Sequence, residues 1–146
     1  MRNVFAYLAA ASIVAASAVP VVEENFEEKL FERLSRFHEE LLSSEERKGN
    51  ARGLASLVRE SKRTFPETRV LYAKALTFAE LLEKAITRKD QEFLYGELTF
   101  ALQSLAPKYG LHAFYCPLTQ KTWIAKTETV RNPYLPEMRE SGKRVN

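Results

Sequence analysis

Three side chains in the second half of this sequence have the chemistry to hold a soft metal ion: His112, Cys116 and Met138. His112-Ala-Phe-Tyr-Cys116 sets an imidazole and a thiol four residues apart, a gap that one helical turn or a tight loop would close. Met138 would add a thioether from the far end of the chain. Thiolate, thioether and imidazole together suit Cu(I) or Ag(I) and, less well, Zn(II). The same residues have plainer uses, Cys116 as a small buried apolar group and Met138 as a gap filler. Cys116 is the only cysteine, so no internal disulfide forms. An unpaired thiol in an oxidising compartment has to be buried, metallated or paired across a dimer. A Cys–His hydrolase is the poorer alternative: His112 could act as base to Cys116, but no glycine-flanked elbow or oxyanion donor accompanies them.

The start of the chain points to such a compartment. Arg2 is the only charge before Glu23, and an apolar run from Val4 to Val14 leads into Ala16-Ser17-Ala18. A short basic segment, an apolar stretch and small residues before a cleavage point describe a secretory signal peptide over 1–18, cut after Ala18. The alternative is an uncleaved anchor, since the uncharged stretch from Asn3 to Val22 approaches the length that spans a bilayer. Ser12, Ser17 and the alanines weaken a membrane helix. No cysteine follows the apolar run, which argues against a lipoprotein. The expectation is a periplasmic protein with no stable membrane insertion after cleavage.

The elements that must position the three donors are mostly helical. At 146 residues, 45% hydrophobic and 28% charged, the chain is sized for one domain with one core. Phe26, Leu30, Leu34, Phe37 and Leu41 recur as the stripe of an amphipathic helix between Glu23 and Lys48, with Gly49 as its stop. Asn50 is placed to cap a second helix with Leu54, Leu57 and Val58 inward. Thr64-Phe-Pro-Glu67 reads as a capping box before a third helix carrying Leu71, Ala75, Phe78 and Leu82. Asp90 is placed to cap a fourth, with Leu94, Leu98, Ala101 and Leu105, which Pro107 and Gly110 end. The spacing predicts an all-α domain over 19–110, an antiparallel four-helix bundle, followed by a C-terminal extended or β-like arm over 111–146. In that arm Thr122–Val130 partly alternates and reads as a short strand.

The arm cannot fold alone. Phe114, Trp123, Ile124 and Tyr134 must dock on the helices to offset the entropy of ordering it. Pro133 pushes Asn132 to an extended conformation, and the Asn132 side chain is then placed to bond the backbone two residues on. Tyr134 buries its ring and reaches a polar partner with its hydroxyl. His38, among Leu34, Leu41 and Leu42, reads as a packed or half-exposed histidine. Arg131, Arg139, Lys143 and Arg144 are scattered along the arm, so nucleic acid is not expected as a partner.

The run Tyr115-Cys-Pro-Leu118, Trp123-Ile124, Val130-Arg-Asn-Pro-Tyr134, Glu137-Met138 and Ser141-Gly142 resembles the C-terminal signature of a bacterial periplasmic family, domain of unknown function 3347. That family occurs alone or fused to adaptor subunits of heavy-metal (copper/silver) efflux pumps. Its pattern runs Cys-Pro-Met, a Trp, Asn-Pro-Tyr, Met-Leu and Cys-Gly. Cys116, Pro117, Trp123, Asn132, Pro133, Tyr134, Met138 and Gly142 fall on its positions, while Leu118 and Ser141 stand where it has sulfur. The resemblance implies a non-enzymatic metal-binding or metal-trafficking accessory, with an envelope efflux or metal-chaperone protein as partner. The ligand set would be Cys116 and Met138, with His112 as a third donor. The alternative is a metal-free interaction or structural module that has kept the scaffold.

Overall fold

Asn25 opens the first helix, α1 (Phe26–Ser43), by accepting the Glu28 N–H on its side-chain oxygen at 3.0 Å. Glu27 and Glu28 load the first turn, where the helix dipole favours negative charge. Leu30, Phe31, Leu34, Phe37 and Leu41 are buried along one face. The helix stops at Ser43, so Gly49 is not its terminator. Instead the Arg88 guanidinium crosses over and donates to the carbonyls of Leu41 and Arg47, both at 2.8 Å, supplying a cationic cap. Gly49 makes room for Phe37, whose ring would lie 2.6 Å from a Cβ placed there.

The computed structural model describes residues 13–18 and 24–146. Most of the expected signal peptide therefore lies outside the described residues, and Ile13–Ala18 are exposed without regular secondary structure. The second helix, α2 (Leu54–Thr64), is entered through Gly53 at φ +86°, not through an Asn50 cap. It runs on through Thr64, whose hydroxyl donates to the Glu60 carbonyl at 2.9 Å, so the expected capping box is absent from that junction. A 3-10 turn at Pro66–Thr68 leads into α3 (Arg69–Lys84) instead. Thr87, not Asp90, caps the next helix: its hydroxyl accepts the Asp90 N–H at 3.0 Å, donates to the Asp90 carboxylate at 2.7 Å, and opens α4 (Arg88–Leu102). A 3-10 segment, Gln103–Tyr109, and Gly110 at φ +68° end the helical part.

Of the described residues 54% are helical, with four α-helices among them, and the rest of their regular structure departs from an all-α reading. The arm forms a small antiparallel sheet from β1 (His112–Cys116), β2 (Lys121–Ala125) and β3 (Lys143–Arg144), in the order β2-β1-β3. β1 and β2 make a hairpin pairing Phe114 with Trp123, closed by the Gln120 N–H on the Cys116 carbonyl at 2.8 Å. Consecutive helices pack on one another, and β2 packs on both α4 and α1. Thr122, Trp123, Ile124 and Ala125 are therefore buried in succession, which hides the two-residue period by which a half-exposed strand is recognised. Hydroxyls occupy the outer edge of β2 in place of a further strand. Thr99 donates to the Thr122 carbonyl at 2.9 Å, Tyr134 donates to the same carbonyl, and the Tyr95 hydroxyl lies 3.3 Å from the Ile124 carbonyl. One cluster of buried apolar side chains runs from Leu30 to Tyr134.

Candidate functional site

The arm closes on itself around Asn132. Its side-chain oxygen accepts the Tyr134 N–H at 2.8 Å, the turn expected of Asn-Pro-Tyr, while its amide donates to the Ser141 carbonyl at 2.7 Å. Its own N–H donates to the Arg139 carbonyl at 2.7 Å, and the Arg139 guanidinium returns a bond to the Asn132 carbonyl at 2.7 Å. Tyr134 buries its ring edge-on to Trp123 and reaches the Thr122 carbonyl with its hydroxyl. Gly142, at φ +140°, passes so close to Trp123 that a Cβ there would lie 2.7 Å from the indole ring. Trp123, Asn132, Pro133, Tyr134 and Gly142 thus form one folded unit over the end of β1, with Pro117 in the exposed hairpin turn.

Cys116 ends β1 beneath this unit with no exposed surface. Its sulfur lies 3.9 Å from the Ser141 hydroxyl. Burial pushes the thiol pKa up. The polar groups of Thr119, Asn132 and Leu118 around it outweigh burial, holding the thiol below its ordinary value.

The other two expected donors stand apart in different ways. His112 occupies the opposite end of β1 from Cys116. In a strand, four residues span about 13 Å, so the spacing that a helical turn would close is held open. The His112 Nε2 lies 4.0 Å from the Glu128 carboxylate, and its Nδ1 is buried without a partner. Met138 is half-exposed, and its carbonyl accepts the Ser141 N–H at 3.0 Å, which ties its turn to the residue beside Cys116. Its side chain lines a surface hollow with Glu45, Leu135, Pro136 and Glu137. Leu118 is exposed at the hairpin tip. Among the described residues, no three His, Cys, Asp or Glu side chains gather as a metal-holding group.

Sequence reasoning missed the surroundings of Cys116 and the depth of His38. Thr119 and Ser141 are small polar residues whose importance comes only from the hairpin and the Asn132 turn. His38 is fully buried, stacked on Trp123 at 6.5 Å, with Nε2 2.8 Å from the Arg131 carbonyl. Burial, the largest influence, pushes its pKa down, so the neutral ring donates from Nε2 to that carbonyl. Its place on the Leu34–Leu41 face was the available signal. Among the described residues, no helix is long and apolar enough to cross a membrane. No family model, curated protein or solved structure matches the chain.

Proposed function

We propose that this chain is an exported, non-enzymatic accessory of soft-metal handling in the periplasm. In this reading it belongs with the family that its Cys-Pro and Asn-Pro-Tyr segments resemble, and its helices form an antiparallel four-helix arrangement that β2 completes. The cargo is Cu(I) or Ag(I), taken by ligand exchange and passed to an efflux or metal-chaperone protein of the envelope. Cys116 is the thiolate donor and Met138 the thioether, with His112 set aside because β1 carries it away. The observation that supports this reading is the Cys116 sulfur set in a polar pocket, 3.9 Å from the Ser141 hydroxyl and under the turn that carries Met138, where its thiol is held below its ordinary value; the thiolate is the form that binds a soft metal. Access requires the turn bearing Met138 and Ser141 to open, because the sulfur has no exposed surface.

The test is anaerobic competition for Cu(I) between the mature chain, beginning at Val19, and a chelator of modest affinity. Wild type is expected to bind one equivalent. Cys116→Ala abolishes this, Met138→Leu weakens it by about tenfold or more, the equivalent of about 1.4 kcal/mol, and His112→Ala leaves it unchanged. A wild-type chain that fails to compete ends the proposal.

A second reading, a metal-free interaction module on the same scaffold, is favoured by Ser141. Its hydroxyl, 3.9 Å from the Cys116 sulfur, stands where the resembled family carries a second cysteine. Under this reading wild type takes no Cu(I), whereas Ser141→Cys, with two sulfurs side by side, does.

A further inference from the structure

The solvent side of α4 breaks the rule that an outward helix face is polar. Phe93 and Phe100 stand on it, each about half exposed. They lie seven residues apart, which is two turns or about 10 Å along the axis. Leu81 of α3 is also exposed. At the Phe100 end the apolar surface runs into a groove of about 570 Å³ between α4 and the β3 edge, walled by Phe100, Tyr115 and Val145. Its polar lining is Gln103, Ser104, Asn146 and Lys143, with no acidic side chain among the described residues that line it. A second cation, the Lys74 ammonium, sits 5.7 Å from the centre of the Phe100 ring.

We propose that this face is the docking surface for an acidic, apolar-anchored peptide segment of a partner protein: apolar side chains fill the groove and cover Phe93, and carboxylates meet Lys74 and Lys143. Three features select this occupant. A second copy of the chain would bring the same cations to the same place, which opposes a self-complementary contact. A lipid surface is too flat to fill a concave groove. A peptide has both the side chains to enter the groove and the carboxylates to reach its rim. The inference stands whether or not Cys116 carries metal, because no residue of the Cys116 site contributes to this face.

Selection from a phage-displayed library of random twelve-residue peptides, panned on the mature chain, provides the test. The expected winners combine Asp or Glu with aromatic or aliphatic residues. They should bind the Phe93→Ser/Phe100→Ser variant at least about tenfold more weakly and lose affinity to Lys143→Glu and to added salt. Because all three side chains are exposed, the variants keep the wild-type circular dichroism spectrum. Winners without acidic residues, winners that ignore the substitutions, or no enrichment over the double variant would overturn the proposal. So would a concentration-dependent dimer, or binding to anionic vesicles, that the double substitution abolishes while the peptides remain indifferent to it.

Discussion

Glu27 carries a negative charge into the interior, with 1% of its surface exposed. Burial opposes that charge. The Lys108 ammonium at 2.8 Å and the hydroxyls of Tyr109 and Tyr72 outweigh burial, so the carboxyl sits below its ordinary 4.5. Burial and the Glu27 carboxylate push the Tyr109 hydroxyl up to about 12, with Lys108 pulling the other way. The folded-state value is depressed, so the stabilisation is present above the ordinary carboxylate value and is lost as pH falls through the folded one. Glu27→Gln is expected to cost about 2–3 kcal/mol near neutral pH, the scale of hydrogen bonds to a charged group. Urea unfolding from pH 7 down to pH 3 should show wild type losing more stability than the variant below the ordinary value; parallel curves would refute the assignment. The sequence reads Glu27 as a helix-dipole charge, which its first-turn place supports. Nothing local announces its partners, which arrive from 45 and 81 or 82 residues away.

At the scale of elements, the helices were legible because their signal is local. The α1 face of Leu30, Leu34, Phe37 and Leu41 is buried as its spacing requires. The ends were less so. Thr64 and Thr87 both carry an acidic residue three positions on, and only tertiary packing decides that the first ends a helix while the second begins one. β1 was missed because a residue pair compatible with a helical turn is equally compatible with a strand, and the choice falls with its partner β2. That choice also decides the site, since it parts His112 from Cys116. The Asn132 turn was legible because proline and asparagine dictate it within three residues. Gly142 gives this element its sharpest test. Its φ of +140° disfavours any side chain, and a Cβ would meet the Trp123 ring at 2.7 Å and the Tyr115 carbonyl at 3.2 Å. Gly142→Ala should destabilise the fold by about 2–4 kcal/mol through combined strain and overpacking. A midpoint shift in urea with a red-shifted Trp123 emission is expected; an unchanged midpoint would mean that the arm yields freely at this point.

The whole molecule depends on that arm more than its length suggests. β2 packs on both α4 and α1, and Phe114, Cys116, Trp123, Ile124 and Tyr134 belong to the same buried cluster as Leu34, Phe37 and Tyr95. Opening of the turn that covers Cys116 therefore draws on the stability of the entire domain. A chain ending at Gly110 exposes the helix surfaces that Trp123, Phe114 and Ile124 cover. Each such side chain contributes about 1.5–3 kcal/mol by burial, and together they approach the 5–15 kcal/mol typical of a domain's total stability. The Thr99 hydroxyl also loses its bond to the Thr122 carbonyl. The truncated chain should retain helical circular dichroism but unfold without a sharp transition and bind an apolar dye, the behaviour of a collapsed, loosely packed state. A sharp, dye-free transition in that chain would show that the four helices are a self-sufficient domain and the arm an attachment to it, and would return the Cys116 region to the status of a movable appendage.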